Sequence, residues 1–242
     1  MLFPPLLAVV AIVAGSVAAV TGFGAGSLLT PALALETGTK LAVAAIAIPH
    51  FIGTAQRYWM LRRHVDRRIL AGFGIASALG GLSGALLGAR FSSGGLAIVF
   101  GALLVLAGIT EFTGWMERVR WGRRAAWIAG AVSGVLGGLV GNQGGIRTAA
   151  MLGFDVPKES FVATATAIGL FVDGARLPVY LATQWRDIAA IWPLVLTATG
   201  GVVIGTAFGT RLLGWVPRRV FRRVVAVLLI VLGVYMIVSG GS

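Results

Sequence analysis

Residues 13–33 read VAGSVAAVTGFGAGSLLTPAL, and this stretch decides the fold. An apolar run that begins near residue 4 meets Thr21-Gly22-Phe23-Gly24-Ala25-Gly26-Ser27, resumes at Leu28, and ends by about residue 36. Its first piece, about 4–20, is nearly long enough to cross a bilayer. Its second, about 28–36, has half of the roughly 20 residues required. Non-helical backbone at membrane depth is tolerated only where protein buries it or it lines a wet cavity. The stretch therefore predicts a broken membrane helix with a functional reason for the break.

The rest of the chain agrees. Apolar residues make up 57% of its 242 positions and charged residues only 12%, against about 25% charged in soluble domains. Length allows one transmembrane domain, residues 1–242, with almost nothing over. The start, MLFPPLLAVVAIVAG, lacks a basic n-region and a cleavage site, and reads as a first structural helix rather than a signal peptide. Without cysteine there is no disulfide framework or thiolate chemistry. We expect neither metal nor cofactor. The net charge of +12 does not imply nucleic acid, because the arginines lie in short loops between apolar spans, where the positive-inside rule places them.

A second copy of the opening stretch lies halfway along, as VSGVLGGLVGNQGGIRTAAML at residues 132–152. At a constant offset of 119, Gly15 falls on Gly134, Gly22 on Gly141, Gly26 on Gly145, Val43 on Val162 and Arg57 on Arg176. After two residues of drift, Gly84, Gly88 and Arg90 fall on Gly205, Gly209 and Arg211. We read a duplication, with repeat one about 1–119 and repeat two about 120–242. Each copy opens with an apolar helix (about 4–20 and 124–140), a glycine-rich break and a short apolar piece (28–36 and 146–153). Three full-length segments follow, about 40–61, 69–89 and 95–114, and again 159–181, 188–210 and 219–238.

Charge decides whether the opening segments cross. If each crosses once, the Arg-rich loops divide almost equally between the two sides. If each is a re-entrant hairpin, fourteen basic residues, from Arg62 and Arg63 through Arg118 and Arg120 to Arg222 and Arg223, share one side. Only Lys40, Arg90 and Arg186 then face the other. Such a bias predicts cytoplasmic Arg-rich loops and both termini outside. Three crossings per copy is odd, so the second copy is upside down. The expected fold is an all-α inverted repeat of two units, each a glycine-broken re-entrant hairpin plus three transmembrane helices, as in secondary transporters.

Both breaks are candidate sites. Gly22, Phe23 and Gly24 form the first, where glycine lets backbone N–H groups approach a ligand. Asn142, Gln143 and Gly144 form the second, and Arg147 follows it by two residues. Amide donors, the positive end of a short helix and a cation together suit a small anion. The bland alternatives are that small residues merely allow close packing, and that Arg147 reaches shallow headgroups. Within the spans, His50, Arg57, Asp173 and Arg176 are candidates for coupling or gating, since ionisable groups are costly in a membrane. Against this, Arg57 could snorkel, His50 could be a packing histidine, and Asp173 with Arg176, three apart, could be a structural pair. Gly81-Leu82-Ser83-Gly84 matches a GxSG protease motif, but no histidine follows it. No nucleophile–base pair supports an enzyme.

The chain resembles the TauE/SafE family of sulfite and organosulfonate exporters through residues 13–33, residues 132–152 and its Arg-rich loops. Gly22, Gly24, Gly26 and Pro31 resemble the family's glycine-rich signature; the second copy has Ala150 where the first has Pro31. The resemblance implies export of small sulfur-containing anions across a prokaryotic inner membrane, with the cargo left open. The expected partners are a small anionic substrate and the bilayer, and a homodimer is left open. Rival readings are a passive anion channel and a carriage of small carboxylates.

Overall fold

The computed structural model describes residues 3–21, 24–114, 123–141, 147, 151, 154, 156–213 and 218–241. Every regular element among them is helical: α1 (Phe3–Thr21), α2 (Ala25–Thr37), α3 (Thr39–Leu61), α4 (Arg67–Gly88), α5 (Ser93–Thr113), α6 (Arg123–Val140), α7 (Lys158–Ala190), α8 (Trp192–Leu213) and α9 (Arg218–Gly241). The protein is a multi-pass helical membrane protein. Among the described residues six helices are long and apolar enough to cross a membrane: α1, α4, α5, α7, α8 and α9. Their large side chains point outward, Leu6, Val9 and Val13 on α1 and Val231, Val234 and Val238 on α9 being exposed. In water such a surface would be untenable; against lipid it is the required one.

Helix α3, at 23 residues, has the length to cross but is less apolar, because it carries Lys40, His50, Gln56 and Arg57. Conversely, α1 is longer than a half-span, so the hairpin expected at the start is a full-length helix followed by the 13-residue α2. Gly24 joins them at φ 105°, a left-handed conformation that side chains rarely adopt. The expected segments otherwise fall on α3 to α9, except that α7 continues to Ala190, bending at Gln184 (φ −137°, ψ 17°). The short piece of the second copy, 146–153, lies largely outside the described residues.

Glycine faces set the packing. Gly80, Gly84 and Gly88 of α4 abut the carbonyls of Ala131, Val135 and Leu139 on α6. Likewise Gly201, Gly205 and Gly209 of α8 abut Ala8, Ile12 and Ser16 on α1. Each pair advances four residues along both helices, so α4 runs parallel to α6 and α1 to α8. Without a Cβ the backbones approach closely, which replaces the hydrophobic drive that lipid cannot provide. Between α5 and α9 the order reverses: Gly94 meets Gly240, Gly101 meets Gly233 and Gly108 meets Ala226. Helices α3 and α7 also run antiparallel, His50 facing Asp173 and Thr54 facing Gly169. Interchanging the two halves of the chain maps this set of pairings onto itself.

Local chemistry ends the helices. Asp66 Oδ1 accepts from the N–H groups of Arg68 and Ile69 and so caps α4. Ser92 Oγ caps α5 through the Gly95 N–H. Lys40 Nζ donates to the carbonyls of Ala89 (2.8 Å) and Phe91 (3.1 Å), closing the far end of α4. A π turn at Leu70–Gly74 widens α4 where Gly72 backs onto Trp127.

Candidate functional site

Helices α3 and α7 carry the ionisable residues into the protein interior, and their antiparallel contact brings both sets together. Asp173 is the hub. Its Oδ2 accepts from His50 Nδ1 at 2.7 Å, and its Oδ1 accepts from Arg176 Nε at 3.0 Å and Nη2 at 2.9 Å. The same guanidinium donates through Nη1 to the Gly137 carbonyl at 2.7 Å, near the end of α6. Tyr180, one turn beyond Arg176, donates its hydroxyl to the Gly138 carbonyl. The i, i+3 pairing of Asp173 with Arg176 is thus formed, and it reaches both across to α3 and out to the second break.

One turn along α3 from His50, Thr54 Oγ1 accepts from Arg57 Nη2 at 3.1 Å. Arg57 is 5% exposed, so it does not snorkel to an interface. Its Nε has no hydrogen-bond partner among the described residues. Arg147 is buried as well and lies against Gly169: a Cβ there would come 2.9 Å from Arg147 Nη1 and 3.6 Å from Thr54 Cγ2. Both guanidinium groups thus gather around Thr54, Arg57 bonded to its hydroxyl and Arg147 across Gly169 from its methyl. Burial at this depth does not suit an Arg147 spread among headgroups.

The breaks meet beside this cluster. Gly26, in the first turn of α2, faces Gly141, where a Cβ would come 2.6 Å from the Gly141 carbonyl oxygen and 3.7 Å from His50 Cδ2. Gly141 itself takes φ 76° and lies next to Arg176 Nη1 and Thr30 Oγ1. The first N–H groups of α2 lack intrahelical acceptors, as in any helix. Gly24, by contrast, turns the chain against Val17 and does not face the cluster. Gly22, Phe23, Asn142, Gln143 and Gly144 lie outside the described residues.

Sequence reasoning missed Thr54, Tyr180 and Gly169 as members of this region. Two carried a signal: Thr54 is one turn from His50 and three residues before Arg57, and Tyr180 is one turn from Arg176. The nearness of Gly26 to Gly141 depends on tertiary packing and carried none.

The charge balance is lopsided. Among the described residues the buried charged side chains are Arg57, Arg147, Arg176 and Asp173, three positive and one negative. Among the described residues, three buried arginines close to one buried aspartate make this region electropositive, which suits an anion and not a cation. No group of three or more metal-ligating side chains occurs among the described residues.

The family model for the sulfite exporter TauE/SafE matches residues 7–236, nearly the whole chain. No curated protein and no solved structure matches it. The chain therefore belongs to the TauE/SafE sulfite exporter family, whose members are membrane transporters of sulfur anions and not enzymes.

Proposed function

We propose that this member of the TauE/SafE family carries a small sulfur oxyanion or organosulfonate across the membrane by alternating access, binding it where the two breaks meet. The supporting observation is the buried excess of guanidinium charge. Arg57 and Arg147 supply charge and donors to the anion, and the N-terminus of α2 at Gly26 supplies further donors. Arg176, held by Asp173, braces the second break through the Gly137 carbonyl. Phe23, Asn142, Gln143 and Gly144 would complete the walls from the two breaks.

In this reading the two halves form an inverted repeat and rock against each other about the site. A half-turn about an axis in the membrane plane reverses helix direction. Equivalent helices that meet must then be antiparallel, as α3 with α7 and α5 with α9 are. It also puts the loop after α5 in the cytoplasm and the end of α9 outside. Reporter fusions after Gly114 and after Gly241 should therefore give opposite signals. Matching signals would remove the inverted repeat.

Transport itself is tested by counterflow in proteoliposomes, with sulfite, sulfate, sulfoacetate, ethanesulfonate and acetate on the trans side. An alternating-access carrier accelerates uptake of labelled sulfite when unlabelled substrate is trapped inside. The sulfur anions should do this and acetate should not. Flux without trans-acceleration would indicate a channel, and acceleration by acetate alone would move the cargo to carboxylates.

A further inference from the structure

His50 differs from the rest of the cluster. Asp173 and Arg176 side chains are 0% and 2% exposed, whereas the His50 side chain is 11% exposed, the most open of the three. Its Nδ1 is committed to Asp173 Oδ2 at 2.7 Å, and a carboxylate only accepts, so Nδ1 carries the hydrogen. Thr54 Oγ1, 3.5 Å from Nδ1, is at the limit of contact and is already engaged by Arg57. The other ring nitrogen, Nε2, makes no hydrogen bond among the described residues. In the neutral ring that nitrogen is a lone-pair acceptor, and the ring edge beside it faces Gly26 and the anion region.

The groups that act on this ring are few. From α7 they are Asp173, bonded to Nδ1, and Arg176, bonded to the other oxygen of that carboxylate. From its own helix comes Arg57, bonded to Thr54, and from the segment after α6 comes Arg147, beside Gly169 and Thr54. Helix α2 brings Gly26, with no ionisable side chain, and α8 faces α3 with Val202 and Thr206. Two guanidinium groups, those of Arg57 and Arg176, stand around this imidazole through Thr54 and Asp173 and repel a further positive charge. An anion seated on Arg57 and Arg147 cancels much of that repulsion.

We propose that His50 takes up one proton when the anion binds, so that proton and anion occupy the protein together. This rests on the anion site proposed above. The proton comes from the acid form of the solution buffer, which is left as its conjugate base, and adds to the Nε2 lone pair; Nδ1–H stays bonded to Asp173; the ring becomes an imidazolium balanced by the carboxylate and the anion. Linkage is reciprocal: if the anion favours the proton, the proton favours the anion by the same factor. Histidine suits this task because its unperturbed charge change falls in the physiological range.

The test is proton uptake on binding to the purified full-length chain, read by calorimetry in two buffers of different ionisation enthalpy. The probes are sulfate and ethanesulfonate, whose charge does not change over the range used, and sulfite. For sulfite, the His50→Gln variant subtracts the anion's own titration. We expect uptake approaching one proton per anion, and binding at least about fivefold tighter at pH about 5.5 than at about 8.5, the low end of typical coupling. Both effects should vanish in His50→Gln, a change that a merely structural histidine does not produce. Binding without proton uptake in the wild type, or an unchanged pH slope in the variant, overturns the proposal. If the variant does not fold, wild-type uptake with sulfate and ethanesulfonate decides the matter alone. If none of the three anions binds at any pH, the anion site itself fails, and this proposal with it.

Discussion

Asp173→Asn should be the most damaging single substitution in the protein, lowering its stability by about 3–5 kcal/mol, the usual cost of breaking a buried ion pair by removing one partner. The side chain keeps its shape, so the loss isolates the charge. Asp173 is the only acidic residue buried among the described residues, and it faces His50, Arg176 and, at longer range, Arg57 and Arg147. Without it the buried guanidinium groups lose the one buried carboxylate among the described residues. At about 2–4 °C per kcal/mol for a chain of this size, the melting midpoint in detergent should fall by on the order of 10 °C. The matched control is Asp187→Asn, an exposed carboxylate near the end of the same helix, which should fall within about 0.5 kcal/mol of the wild type. Saturating sulfite should restore part of the loss, because a ligand at a hundred times its Kd stabilises by about 2.7 kcal/mol. Equal melting of the two variants would show that Asp173 is not the counter-ion that holds the cluster.

The sequence made the membrane class and the helix set legible because both depend on local composition. Twenty apolar residues in a row have few alternatives, and seven of the expected segments coincide with helices to within a few residues. Glycines and arginines also recur at a nearly fixed offset in the two halves of the chain. Those glycines are where backbones touch: Gly84 on Val135 and Gly205 on Ile12. What stayed illegible was partner choice. Nothing local says that α1 packs on α8 rather than on α4, or that Gly26 rather than Gly24 faces the second break. Pairwise periodicity was informative again at Asp173 and Arg176, where three-residue spacing correctly implied a bonded pair. It could not show that His50, 123 residues away, would share the same carboxylate. Charged residues in membranes are placed by their counter-ions, and a counter-ion distant in sequence leaves no trace in a single chain.

Arg147 should carry the largest single share of anion affinity. It is 4% exposed, and its guanidinium lies against Gly169 because that position has no Cβ, beside Thr54 on α3. A second guanidinium, that of Arg57, donates to the hydroxyl of the same Thr54. Two arginines suit a shared oxyanion, since a planar fork meets a sulfonate or sulfite edge with two donors at once. Arg147→Lys keeps the charge and loses the fork, and Arg147→Gln loses both. A hydrogen bond to a charged group contributes about 1.5–3 kcal/mol, so at 1.4 kcal/mol per decade affinity should fall about tenfold or more in the glutamine variant. The lysine variant should lie between it and the wild type. Added sulfite should raise the melting midpoint of Arg147→Gln less than that of the wild type, because bound ligand stabilises in proportion to its affinity. Equal sulfite affinity in all three proteins would transfer the anion to Arg57 and Arg176.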